Sequence, residues 1–219
     1  MQTKSTIPLF PLGVVLMPHL RLPLHIFEAR YKIMIGECLE HNKEFGVVYF
    51  DSREIKKVGC TAQIVEVLKE YDTGEMDIIT VGRRRFMLTE IYEEKPYLEA
   101  DVVYFDDSPE EEDEALIELA RQGMESLKAL GRMTGNEIDY APMERLDLKR
   151  ISFLISGIDG FKLSEKQRLL EMTSTRKRLE SGVQSLQKVL ERAKISKEIE
   201  KIIGGNGNIK KMLNQDDTG

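Results

Sequence analysis

The sequence has few of the features that assign a compartment or a chemistry directly. Its two cysteines, Cys38 and Cys60, share no ligand or disulfide spacing, which indicates buried thiols in a reducing compartment. No apolar run is long enough to cross a membrane. The N-terminal residues lack the apolar stretch and cleavage site of a secretory signal. We therefore expect a cytoplasmic protein that makes no membrane contact.

Positive charge is also in the minority. The 219 residues include 32 Lys and Arg against 38 Asp and Glu, which gives a net charge of −6. This balance disfavours non-specific binding to nucleic acid or to an anionic membrane, although it is compatible with a local basic patch. With 41% hydrophobic and 32% charged residues, the composition is typical of a soluble globular chain of one large or two small domains.

The chain is organised around residues 6–31, which contain four of its seven prolines. Because proline cannot donate to a sheet ladder, this segment is not one long strand. We interpret it as short strands at 6–10 and 14–17, a corner over 17–24 and a helix over 26–41. The apolar spacing changes there from about two residues to about 3.6, which indicates the start of the helix.

Segments rich in Val, Ile and aromatic residues predict further strands. These are 45–50, a hairpin of 61–71 with 75–81, and a second antiparallel pair of 84–92 with 97–105. About six short, mostly antiparallel strands with one or two helices predict a closed or partly closed barrel over residues 1–107. The fold class is therefore α+β.

An all-helical bundle is expected over residues 108–203. Its acidic start resembles a capping box, with Ser108 as N-cap, Pro109 at the first helical position and Glu111 at the third. That helix is predicted to end at Gly131. Helices are then expected over 143–158, over 164–172 with a second capping box, and over 175–203, followed by a disordered tail at 204–219.

Several motifs occur in an order that is typical of one family. They are PLFPLGVVLMP with LPLHIFEARY, then FGVVYF, VGCTAQIVEV, GRRRFML and PYLEADVVYF, and later LSEKQRLLEMTSTRKRLESGVQSLQKVL. Through them the chain resembles the amino-terminal domain of Lon proteases, a substrate-binding module, from about residue 7 to residue 190. The resemblance implies a PUA-like pseudo-barrel, a bacterial source and a binding function without catalysis.

Motifs for catalysis are not found in the sequence. The glycine cluster at 204–211 lacks the spacing of a phosphate loop and follows no strand. No segment resembles the Ser–Lys protease centre of the family, so the chain is expected to act as the front module alone, without a cofactor. The alternative is that it belongs to an ATP-dependent serine protease system. His19, His25 and His41 form no metal-ligand spacing, and no metal site is predicted.

Two sets of residues are candidates for binding. One set would form an apolar binding surface at the proline corner, if its residues are exposed: Met17, Leu20, Leu22 and His25. Such a surface suits unfolded or hydrophobic polypeptide, or a protein partner. The alternative is that these residues cap the barrel. His25 with Glu28 and Arg30 also permits general acid–base chemistry, but a structural role at the helix start is favoured.

The basic run Arg83-Arg84-Arg85 raises a third possibility, an RNA-binding PUA-like domain. In a regular strand, consecutive side chains point to opposite faces, so the three arginines would not form one patch. Salt bridges to the many carboxylates are the favoured interpretation, and nucleic acid is an unexpected partner. The long C-terminal helix suggests a homodimer through its apolar seam.

Overall fold

The computed structural model describes residues 4–135 and 146–213, with side chains for 5–135 and 146–202. Within these residues, six strands form one mixed sheet and five helices accompany it, which confirms the predicted α+β class. The strands are β1 (Lys4–Leu12), β2 (Arg21–Ile26), β3 (Phe45–Phe50), β4 (Ile55–Glu70), β5 (Met76–Tyr92) and β6 (Leu98–Tyr104).

The sheet closes on itself through five of these strands. Its order is β2-β5-β4-β3-β1-β6, and an additional pairing joins β6 back to β5. Only β1 and β3 run parallel, so the pairing is mostly antiparallel, as expected. Strand β2 lies outside the closed part and pairs with the first half of β5 alone.

The strand at 45–50 is confirmed, whereas three other expectations for the sheet were wrong. Residues 14–17 form no strand, and the second strand is β2, which begins inside the corner expected over 17–24 and ends beyond it at Ile26. The two strands expected at 75–81 and 84–92 are one continuous strand, β5, of 17 residues. The strand expected to start at residue 61 already begins at Ile55, as β4.

The helices are α1 (Ala29–Glu40), α2 (Glu114–Thr134), α3 (Leu148–Ser156), α4 (Leu163–Glu171) and α5 (Thr175–Leu213). Helix α1 buries Tyr31, Met34, Ile35 and Cys38, whose spacing predicts one helical face. A helix was expected over 143–158. Its expected start lies outside the described residues, and α3 occupies its later part. Helix α5 extends to Leu213, past the start of the tail expected at 204, and residues 214–219 are not described.

The predicted N-cap residues were wrong for α2 and α4. Asp113, not Ser108, caps α2, because its side chain accepts from the Leu116 N–H at 2.8 Å. Helix α2 also continues through Gly131 and ends at Gly135, whose φ of 72° is a left-handed cap. Helix α4 begins after Lys162 without a side-chain cap, so Ser164 lies inside it.

One apolar core crosses from the sheet to the helices. It contains Phe10 and Ile78 of the sheet together with Leu116, Phe153 and Leu179 of the helices, all almost fully buried. A smaller cluster around Leu9, Phe86 and Val102 fills another part of the barrel. The boundary predicted between residues 107 and 108 therefore lies where the chain changes from strands to helices, and the core is continuous across it.

Candidate functional site

The closed barrel carries an extension of three strands, which we name the lip: β2, residues 76–81 of β5 and residues 63–70 of β4. Strand β3 pairs with β4 only as far as Ala62, so the following half of β4 has β5 as its one described partner strand. Its other edge presents backbone N–H and C=O groups. Such an edge can accept an additional extended strand.

Two β-bulges lie in this half of β4. The cross-strand register passes from Ile64 directly to Glu66 and from Val67 directly to Lys69, which leaves Val65 and Leu68 as the extra residues. Both side chains are exposed, at 45% and 56%, and Val67 between them is 42% exposed. A bulge redirects the side chain of the extra residue. Three large apolar side chains thus lie in solvent beside the open edge.

A polar and aromatic cluster crosses the other end of the lip. His25 of β2 and Asp77 of β5 are cross-strand partners, and His25 Nδ1 lies 2.7 Å from Asp77 Oδ1. Tyr71 donates its hydroxyl to the second oxygen of Asp77 at 2.8 Å. These bonds from His25 and Tyr71 lower the pKa of Asp77. The Phe27 ring stacks 5.9 Å from His25 and is 58% exposed.

His25 therefore belongs to the lip, where the Asp77 carboxylate holds its imidazole. Glu28 instead pairs with Arg30 at 2.8 Å, so the described geometry does not join His25 to Glu28 as an acid–base pair.

The other three residues expected at the apolar corner are not exposed. Met17 is 1% exposed and belongs to the core, so its side chain is unavailable to a ligand. The corner is fixed to β5 because the His19 N–H donates to Gly82 and the Gly82 N–H donates to Leu20, at 2.8 and 2.9 Å. Leu20 and Leu22 are half-buried against the core, with Leu20 packed over Gly157 at the end of α3. These positions cap the barrel.

The basic run is split between core and surface. Arg83 and Arg84 are exposed, whereas Arg85 is 2% exposed and donates to the carbonyl of Leu170 at 3.0 Å. Strand β5 is not regular here. Two residues, Arg83 and Arg84, lie between Gly82 and Arg85, whereas only Thr61 lies between their partners in β4. This bulge interrupts the alternation, and all three arginines border one cleft.

The two thiols are free and buried, as expected. Burial raises the pKa of Cys38 to about 11 and raises that of Cys60 further, so neither supplies a thiolate nucleophile near neutral pH. Among the described residues, no three His, Cys, Asp or Glu side chains lie close enough together to hold a metal ion. No helix within 4–135 or 146–213 has the length and hydropathy that a bilayer crossing requires.

Residues 6–188 match the family model described as the substrate-binding domain of the ATP-dependent protease La (LON). The chain belongs to the LON substrate-binding domain family. This shows the kinship that the ordered motifs indicated.

The curated relatives of this chain are much longer than the chain itself. It is 28% identical over 198 residues to Lon protease 2 of Syntrophobacter fumaroxidans, a match that covers 86% of this chain and 25% of the relative. It is 24% identical over 208 residues to Lon protease of Escherichia coli K12, which covers 90% of this chain and 26% of the relative. The chain thus spans about a quarter of the curated relatives it matches.

Two solved structures share the fold of this LON domain. The Lon N-terminal domain protein of Xanthomonas campestris has a TM-score of 0.63 at 21% identity, over 80% of this chain and 95% of that one. The N-terminal domain of the Mycobacterium avium complex Lon protease has a TM-score of 0.66 at 17% identity, over 84% of this chain and 98% of that one.

Proposed function

We propose that this LON domain is a non-catalytic module that binds extended, apolar segments of unfolded or partly unfolded polypeptide at its lip. The observation that carries the proposal is the pair of bulges at Val65 and Leu68, whose exposed side chains lie beside the open edge of β4. Exposed apolar groups beside an open strand edge combine the two contacts that extended peptides use.

The mechanism has two parts. The ligand backbone adds to the free edge of β4 and forms main-chain hydrogen bonds that are independent of its sequence. Its apolar side chains lie against Val65, Val67 and Leu68 and remove apolar surface from water. Because a flexible ligand loses conformational entropy when it is ordered, we expect a dissociation constant on the order of micromolar or weaker.

A matched pair of variants tests the lip. The binding of a fluorescein-labelled peptide of alternating Val and Thr would be followed by fluorescence anisotropy. We expect the double variant Val65→Ser with Leu68→Ser to weaken binding about tenfold, since roughly 1.4 kcal/mol of apolar contact corresponds to that factor. Ile117→Ser on α2 removes an equally exposed apolar side chain, 53% exposed, away from the lip. It should leave binding unchanged.

The edge contact has its own test. Replacing alternate residues of the labelled peptide by proline removes N–H donors, and should weaken binding if the backbone pairs with β4. Unsaturable binding of the original peptide, or equal effects of the lip and Ile117 variants, would show that the lip is not the binding surface.

The alternative of proteolysis by this chain makes an opposite prediction. We expect the purified chain to leave casein intact with and without ATP, because the module is proposed to bind and not to cleave. Hydrolysis of casein that requires ATP would overturn this part of the proposal.

A further inference from the structure

A second feature of the described surface is a cleft of about 440 Å³ between the barrel and α3. Its lining includes four basic side chains, Arg83, Arg84, Arg85 and Lys149, and one carboxylate, Asp106. We propose that this cleft binds a carboxylate of the polypeptide ligand, an Asp or Glu side chain within an otherwise apolar segment. The inference rests on the proposed function, since it takes the ligand to be polypeptide.

The floor of the cleft is backed by buried positive charge. Arg85 lines the cleft and its side chain is 1% exposed. Arg178 is 0% exposed and lies behind the cleft, 3.8 Å from the centre of the Phe153 ring that lines it. Both arginines donate to the buried carboxylate of Asp107. One carboxylate thus serves two guanidinium groups. A charge removed from water is stabilised by a neighbouring charge of opposite sign, so this floor favours an anion in the space above it.

Asp106 shows that a carboxylate fits at the cleft. One of its oxygens lies 2.5 Å from Lys149 Nζ and 3.7 Å from Arg85 Nη2. The Asp106 side chain is nevertheless 69% exposed, so it lies at the mouth and leaves most of the cleft open. It is therefore an internal competitor: a ligand carboxylate would share or take the bonds from Lys149 that Asp106 now accepts.

The two exposed arginines are held in place by neighbours. The Arg84 guanidinium lies 3.9 Å from the centre of the Tyr104 ring, and its Nη2 is 3.5 Å from Glu44. Arg83 donates to the Gln63 side chain at 2.8 Å. Because these contacts already order both side chains, less entropy is lost when they bind a carboxylate.

The aromatic rings explain why polypeptide is favoured over single-stranded RNA. Bases bind such proteins by stacking on open aromatic faces. Here Arg84 lies over Tyr104, Arg85 lies 4.6 Å from the centre of Phe105, and Phe153 is buried beneath two guanidinium groups. Each of the three aromatic rings that line the cleft therefore already has a guanidinium group against it, and the whole chain is acidic.

The experiment compares two labelled peptides that differ only in one central residue, Glu or Gln. Anisotropy titrations at low salt should show that the Glu peptide binds roughly five- to tenfold more tightly, as one charge-assisted hydrogen bond provides. Arg84→Glu and, separately, Lys149→Gln should abolish this preference while the affinity for the Gln peptide stays the same. Asp106→Asn removes the competitor and should increase the preference.

The control is Arg53→Glu, the same charge reversal at an exposed residue of the β3–β4 loop. It should change the affinity for neither peptide. Circular dichroism spectra that match the parent chain establish that each variant is folded.

The outcomes separate this inference from the proposed function. Equal binding of the Glu and Gln peptides to the parent chain overturns the cleft and leaves the lip standing, whereas binding of neither peptide overturns both. Equal weakening of both peptides by Arg84→Glu, or an unchanged preference in Asp106→Asn, also overturns the cleft. So does tight, salt-sensitive binding of labelled oligouridylate that the Glu peptide does not displace.

Discussion

Arg178 of α5 donates from Nη1 to Oδ1 of Asp107 across 3.1 Å, although 71 positions separate the two residues. A second bond joins Arg178 Nη2 to the other oxygen, so the pair is bidentate. Arg178 also donates to the carbonyl of Met172 at 2.8 Å. With Arg85 of β5 on the same carboxylate, Asp107 links the barrel to the long helix at the point where strands give way to helices.

We expect Asp107→Asn to destabilise the whole chain strongly. The substitution leaves Arg178 buried without a countercharge and leaves Arg85 only the more distant, exposed Asp106 at 3.7 Å. Breaking a buried ion pair in this way costs about 3 to 5 kcal/mol. Urea unfolding, followed by circular dichroism, measures the change in the free energy of unfolding. Because one core joins sheet and helices, both parts should unfold in a single transition.

The matched control for that variant is Asp159→Asn. Asp159 is fully exposed and lies 3.9 Å from Lys166, so the same chemical change should hardly move the urea midpoint. Similar losses in the two variants would contradict a special role for the buried carboxylate.

The same carboxylate gives a pH dependence. Burial alone raises the pKa of Asp107, but hydrogen bonds from Arg178 and Thr175 outweigh it, and the pKa lies below its usual value. The ionised form therefore stabilises the fold above the unfolded pKa, about 4. This contribution is lost as the pH falls through the lower, folded pKa.

The difference in unfolding free energy between the parent chain and Asp107→Asn should accordingly be constant from neutral pH down to about 4 and shrink below it. Urea titrations across this range measure it. If the difference stays constant below about pH 4, the contacts with Asp107 do not depend on the ionised form of its carboxylate.

Gly82 makes a sharp prediction about the corner that connects β1 and β2. A Cβ atom at this position would lie 2.2 Å from the carbonyl oxygen of Met17, which is backbone and cannot rotate away. We expect Gly82→Ala to lower the free energy of unfolding by about 1 to 3 kcal/mol, as overpacking does. Gly36→Ala in α1 meets no atom within 4 Å and should stabilise instead, by about 0.5 to 1 kcal/mol.

Thermal and urea unfolding of the two glycine variants would be compared with the parent chain. Equal shifts in the same direction would contradict the close approach of β5 to the Met17 carbonyl.

Local patterns predicted the elements because their physics is local. The spacing of Tyr31, Met34 and Cys38 defines a helical face whatever lies opposite, and the Val- and Phe-rich 45–50 segment forms a strand. The N-cap of α2 was misplaced because Ser108 and Asp113 both have capping chemistry. The tertiary bond from the Ser108 N–H to the carbonyl of Thr173, at 2.8 Å, holds Ser108 outside the helix.

The site was less predictable because it depends on strand register and on distant partners. The sequence VEVL shows apolar residues at 65, 67 and 68, but only the pairing with β5 reveals two bulges and an open edge there. Likewise, Arg85 is buried while Arg84 is exposed, because Arg85 donates to Leu170, Met172 and Asp107. These acceptors are distant in sequence, so no local pattern predicts the contacts. The apolar residues around Met17 suggested a binding surface, but Met17 itself lies in the core.

Exposed apolar residues on the long helix α5 predict self-association of the chain. Its inner stripe, which includes Leu179 and Leu186, is buried, but farther along Ile195, Ile199 and Ile202 are 52%, 49% and 65% exposed. Their spacing of four and three residues forms one seam, as in coiled coils. We expect a weak dimer through this seam, with a dissociation constant on the order of micromolar because few apolar side chains are buried. Sedimentation equilibrium should show that the average molecular mass rises with protein concentration.

The double variant Ile199→Glu with Ile202→Glu should then remain a monomer, whereas Ile117→Glu, at a similarly exposed site on α2, should still dimerise. A parent chain that stays monomeric at every concentration would contradict the seam.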